Sequence, residues 1–178
     1  MSHEVPKLNQ SESKEKPPVL YHGTANGDIK EFEPRSAAER PDEEPAVYAS
    51  PDREIAIQSM ANKFVTNGGI VNGRKFVCIP MTREEFIEQD HGGTVYSFPS
   101  DSFEINKGIG LGDKEWVSRT TVKPRGLERF PSLLAAMLKQ GTEVYFIKPE
   151  MVSVISKAQD SDPEELERLL GGLERAES

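Results

Sequence analysis

Two periodicities run along this chain, and they separate its elements. Short runs rich in β-branched and aromatic residues at 19–22, 46–49, 75–79, 94–98, 116–118, 144–147 and 152–155 predict strands. Three interleaved segments carry apolar residues at helical spacing instead. Ser50-Pro51-Asp52 offers a cap with proline at the first helical position, and Ile57, Met60, Ala61 and Phe64 follow on one face. Thr82-Arg83-Glu84-Glu85 has the capping-box pattern and opens a short helix through Gln89. Pro131 starts a third helix, with Leu133, Leu134, Met137 and Leu138 inward and Gly141 behind it. Strands outnumber helices and do not alternate with them regularly, which predicts an α+β domain on a mixed sheet rather than a doubly wound fold.

Composition refines where that domain lies. Of 178 residues only 35% are hydrophobic, below the roughly 45–50% usual for a globular domain. The deficit is concentrated at the ends. Residues 1–17 hold three Glu, three Lys and no aromatic residue, and are expected to be a disordered tail. Residues 157–178 hold seven acids against three bases, half of the net charge of −8. That acidic C-terminal tail still carries a short helix signal. Ser161-Asp162-Pro163-Glu164 reads as a helix start, with Leu166, Leu169, Leu170 and Leu173 at helical spacing before Gly171-Gly172 interrupts them. The domain is expected between them, at 18–156. Within it, residues 23–45 are rich in charge, Gly and Pro and are expected to be loop or lid rather than core.

Several classes are set aside. No apolar run approaches the ~20 residues of a membrane span, and the N-terminal residues lack the apolar stretch of a secretory signal. A cytoplasmic protein without a membrane partner is expected. One cysteine makes no internal disulfide, and the three histidines have no metal-site spacing, so no metal is expected. Cys78 sits mid-strand and reads as a buried, inert thiol; His91 precedes Gly92-Gly93 and reads as an exposed turn residue. Gly108-Ile109-Gly110-Leu111-Gly112 misses the dinucleotide spacing, because position 113 is Asp, and reads as a turn.

One constellation carries chemistry. Tyr21-His22-Gly23-Thr24 closes the first strand. Val47-Tyr48-Ala49-Ser50 closes the next and leads into a helix with Ala56 on its inner side. Glu115-Trp116-Val117-Ser118 opens a later strand. Each alone has a structural account, as a turn, a core aromatic and a solvated strand start. In this order they resemble the ADP-ribosyltransferases, in the His-Tyr-Glu branch that includes diphtheria-type toxins and poly(ADP-ribose) polymerases. The resemblance implies an ADP-ribosyltransferase-like split β-sheet core with few flanking helices, and NAD as substrate. It implies a mono-ADP-ribosyltransferase that cleaves the nicotinamide–ribose bond and passes ADP-ribose to an acceptor, either protein or nucleic acid.

The residue types suit that chemistry. A carboxylate beside the ribose stabilises an oxocarbenium-like transition state and can orient the 2′-hydroxyl, a role for Glu115. Tyr48 offers a ring face to nicotinamide, and Gly23 lets a backbone approach the carboxamide. The resemblance gives His22 a ribose hydroxyl, with Thr24 assisting, and places Ser50 in the cofactor pocket. The polymerases carry a second stacking Tyr on the following helix. The stretch 53–59 has no aromatic residue here, leaving Phe64 or Trp116 as replacements. Asp113, two before Glu115, is a candidate for orienting an acceptor. Residues 107–129 hold six bases against three acids and could steer an anionic substrate. The alternative is a catalytically degenerate member of the fold, a binding module for a nucleotide or protein partner.

Overall fold

A computed structural model describes residues 15–36, 42–106 and 114–177. Most of the N-terminal tail, the 108–112 glycine run and Asp113 lie outside the described residues. The elements follow in the order β1 (Val19–Thr24), β2 (Val47–Ala49), α1 (Arg53–Met60), β3 (Asn67–Val71), β4 (Arg74–Ile79), α2 (Arg83–Gln89), β5 (Gly93–Pro99), β6 (Glu104–Ile105), β7 (Trp116–Ser118), β8 (Gly126–Phe130), α3 (Leu133–Lys139), β9 (Glu143–Phe146), α4 (Val152–Ser161), α5 (Pro163–Gly171) and β10 (Glu174–Arg175). The class is α+β. Among the described residues the strands form three sheets, ordered β1-β5-β8, β2-β7-β6 and β10-β9-β4-β3. A single bridge, Tyr21 to Ser50, joins the first two. The third sheet is mixed, because β4 and β9 run parallel.

Local chemistry accounts for most boundaries. Asn72 and Gly73 adopt positive φ (47° and 76°) in the tight β3–β4 turn, the conformation such hairpins demand. The Thr82–Glu85 capping box is formed in both directions at the start of α2. The other two helix starts shift inward from the sequence expectation. Ser50 is still engaged with Tyr21, so α1 is capped by Asp52, whose side chain accepts from the Glu54 N–H. Ser132 rather than Pro131 caps α3, accepting from the Ala135 N–H. Asp90 reinforces it by accepting from the Leu133 and Leu134 N–H groups and the Ser132 hydroxyl, at 2.8–3.1 Å.

The core has three parts. Ala56, Ile57 and Met60 of α1, Leu133 and Met137 of α3, Phe86 of α2, and Val77, Ile79, Val144 and Phe146 of the mixed sheet form the first. Leu20, Tyr96, Phe98, Val47, Ala49 and Trp116 close around Phe32 in the second. On the other face of the mixed sheet, Cys78, Phe76 and Tyr145 pack against Ile155, Ala158, Leu166 and Leu170.

Three expectations are corrected here. Residues 152–155 are the first turn of α4, not a strand: a 3-10 turn at Pro149–Met151 leads in, and Ile155 and Ala158 are buried against the sheet. Burial on one helical face outweighs the β-propensity of Val152, Val154 and Ile155. The 23–45 stretch is not all surface. Phe32 is buried, and its backbone exchanges two 2.9 Å hydrogen bonds with Val122. The acidic C-terminal stretch is folded onto the domain: Leu166, Leu170 and Ala176 are buried, and β10 pairs with β9. Glu143 ties this region together, bonded by Arg74, Arg175 and the Tyr145 hydroxyl, while Arg74 also pairs with Glu167. Strands β3, β6, β8 and β10 were not expected. All lie at sheet edges with largely exposed side chains, so the neighbouring strand specifies them rather than their own apolar pattern.

Because α5 completes a core layer, Leu170→Ala should cost about 2–4 kcal/mol. Urea unfolding followed by circular dichroism should show one transition shifted to lower denaturant. An early, separate loss of helix would mean that α5 folds independently of the sheet.

Candidate active site

The three motifs lie on neighbouring strands. β2 and β7 pair antiparallel with Tyr48 opposite Val117 and Ala49 opposite Trp116. One step further, that register sets Glu115 opposite Ser50. Ser50 in turn exchanges backbone hydrogen bonds of 2.7 and 2.8 Å with Tyr21 of β1. Tyr21-His22-Gly23, Tyr48-Ala49-Ser50 and Glu115 therefore sit side by side across β1, β2 and β7.

Opposed residues of an antiparallel pair share a face, and neighbours along a strand alternate. Tyr21, Ser50, Tyr48 and Glu115 belong to one face. His22 leaves from the other, packed edge-on against Phe32 with ring centroids 5.2 Å apart. What links the two faces is an opening in the sheet. A continued β1–β2 ladder would set Gly23 against Tyr48, but the strands share just the Tyr21–Ser50 bridge. The Tyr48 carbonyl accepts instead from Nδ1 of His22, at 2.7 Å. Since Tyr21 directs both its peptide groups to Ser50, alternation turns those of Gly23 toward the same opening.

Gly23 also has a packing reason to be glycine. A Cβ there would lie 1.6 Å from the carbonyl oxygen of Ala56, so α1 rests directly on the β1 backbone. Ala56 is buried on the inner side of α1, as expected from the sequence, but it meets Gly23 through its backbone carbonyl rather than its side chain.

Burial pushes the pKa of His22 below its ordinary value, and the bond to the Tyr48 carbonyl opposes that shift. A carbonyl oxygen only accepts, so Nδ1 carries the proton and Nε2 of the neutral ring is an acceptor. Tyr48 is half-buried, and its hydroxyl donates to Glu43 at 3.3 Å. Glu115 is half-buried too. Its Oε1 accepts from Nδ2 of Asn106 at 2.8 Å, and its backbone carbonyl accepts from the Asn106 N–H at 2.9 Å. The Ser50 hydroxyl accepts from the Asp52 N–H, and that of Thr24 from the Asn26 N–H, both at 3.1 Å. These two residues shape the strand ends.

Other candidates are placed elsewhere. Phe64 and Trp116, considered as second stacking rings, are both buried in the core. Much of the charge of the basic 107–129 stretch is answered by acids from 28–44. Arg129 pairs with Asp28, Lys123 with Glu31 at 2.8 Å, and Arg119 with Glu44 at 3.7 Å. Such exposed pairs contribute little stability, but they reduce the positive field available to a substrate. Cys78 is buried and its thiol is pushed up to about 12, which makes it inert. His91 is exposed in its turn. A groove of about 830 Å³ lies at the carboxyl ends of β4 and β9, lined by residues including Met81, Phe146, Lys148 and Leu173. No motif residue lines it. Among the described residues no cluster of His, Cys, Asp and Glu could hold a metal ion, and no helix is long and apolar enough to cross a membrane.

Asn106 and Glu43 were missed from the sequence. Asn106 stands nine positions before Glu115, and only the β6–β7 pairing reveals the contact. Glu43 is one acid among many in a charged loop.

Two consequences are measurable. Gly23→Ala must move α1 away from β1, at a cost of about 3 kcal/mol, read as a lower denaturation midpoint. The folded-state pKa of His22 lies below its ordinary 6.5, so on acidification the unfolded chain takes up that proton first. This contribution to stability is complete above the ordinary value and declines as pH falls toward the folded one. His22→Gln should flatten the decline of the urea midpoint as pH falls below about 6.5.

Set against known proteins, the chain matches no family model, no curated protein and no solved structure.

Proposed function

We propose that this protein is a mono-ADP-ribosyltransferase that uses NAD as its substrate. The observation that carries the proposal is the placement of the three motifs on adjacent strands beside an opening in the sheet, where His22 is bonded to the Tyr48 backbone. The opening presents groups suited to a planar carboxamide. The Gly23 N–H can donate to its oxygen and the Gly23 carbonyl can accept from its amide nitrogen. The Tyr48 ring stands on the same face as Glu115 and can cover the nicotinamide. Nε2 of His22, on the other wall, can accept from a ribose hydroxyl.

Reaction then follows from charge. As the bond between nicotinamide and the ribose C1′ lengthens, positive charge develops on the ribose ring. The Glu115 carboxylate stabilises that charge and accepts from the 2′-hydroxyl. The acceptor's nucleophile forms the new bond to C1′, nicotinamide leaves with the electron pair of the broken bond, and the acceptor's proton passes to solvent.

A second reading is a nucleotide- or protein-binding module without turnover. It is favoured by the burial of Phe64 and Trp116 in the core, where neither offers a stacking face to a ligand, and by the departure of His22 and Glu115 from opposite faces.

The purified protein should release nicotinamide from NAD. Glu115→Gln, nearly isosteric and half-buried, should lower that rate by about a hundredfold or more with little change in melting temperature. Saturable NAD binding without nicotinamide release would select the second reading. Wild-type turnover in the glutamine variant would overturn the mechanism.

A further inference from the structure

We infer that Asn106 is the positioning residue for Glu115, an inference that rests on the transferase reading. β6 is two residues long and lies at the edge of its sheet, paired to β7 with Glu104 opposite Val117 and Ile105 opposite Trp116. The pairing runs one residue beyond the strand, through the 2.9 Å bond from the Asn106 N–H to the Glu115 carbonyl. Asn106 and Glu115 are thus opposed, and their side chains share a face. The amide uses that placement, donating from Nδ2 to Oε1 at 2.8 Å.

The two bonds do different things. The backbone bond sets where the Glu115 Cα sits relative to β6. The side-chain bond helps to restrain a carboxylate on a stem with several rotamers. By engaging Oε1 it also orients the carboxylate plane before substrate arrives. A neutral amide suits this role better than Lys or Arg. It binds the carboxylate without neutralising the charge that the transition state needs. Both side chains are half-buried, so water competes for the bond less than at an open surface.

The alternative is that Asn106 merely secures an edge strand. Substitution separates the two roles, because the backbone bond is available to any residue but proline. In nicotinamide-release assays, Asn106→Ala should lower kcat by about tenfold or more, as loss of a hydrogen bond to a charged group does, with KM for NAD within about twofold. Asn106→Gln, which keeps an amide donor, should recover most of the lost kcat. Wild-type kcat in the alanine variant, or a loss that glutamine does not repair at all, would overturn the positioning role. Glu115→Gln, run in parallel, keeps the two ideas apart. Its inactivity beside an unimpaired alanine variant would leave the transferase standing and remove Asn106 alone. Wild-type turnover in Glu115→Gln would remove both.

Discussion

Everything around the candidate site depends on one close approach: α1 lies so near β1 that Gly23 has no room for a side chain. The Ala56 carbonyl occupies the space where a Cβ would be. This contact sets the height of α1 over the sheet, and through it the depth at which Ala56, Ile57 and Met60 enter the main core. Because Ser50 is bridged to Tyr21 just before the helix is capped by Asp52, β1, β2 and α1 form one closed unit. A larger residue at Gly23 would therefore disturb the sheet as well as the helix.

The same unit leaves the sheet open on one side. Where β1 and β2 part, the Tyr48 carbonyl would lack a strand partner, and a buried carbonyl without a hydrogen bond costs about 1–3 kcal/mol. His22 supplies the bond from its side chain, and burial disfavours the charged ring. The residue that satisfies the opened sheet is also the one that presents an acceptor nitrogen beside it. Tyr48 and Glu115 approach from the opposite face, so a ligand that meets all three must pass through the opening rather than lie on one surface.

Charge is organised by pairing more than by total. The net −8 suggests an acidic surface throughout, yet acids of 28–44 are matched to bases between Arg119 and Arg129, and Glu143 and Glu167 to Arg74 and Arg175. The first set ties a long loop, already anchored by Phe32, across the strands that follow Glu115. The second ties the C-terminal helices and β10 to the β3–β4 hairpin.

How much of this was legible depended on the range of the interactions. The Thr82 and Asp162 helix starts and the strands β1, β4, β5 and β9 arise from bonds or side-chain patterns within a few residues and were legible in the sequence, while the Asn72-Gly73 turn, not read there, has an equally local cause. The three motifs and their order were legible for the same reason. Tertiary structure alone decided the rest. It turned 152–155 into a helix, drew Phe32 into the core, recruited edge strands with little apolar pattern, and set Asn106 against Glu115. Those outcomes are long-range: they depend on which surface each segment meets, and a chain read in order does not contain that partner. The sequence by itself determined the three motifs and the residue types they carry. The pairing of β1, β2 and β7 decided that they are neighbours, because hydrogen bonding between strands, not spacing along them, brings residues 22, 48 and 115 together.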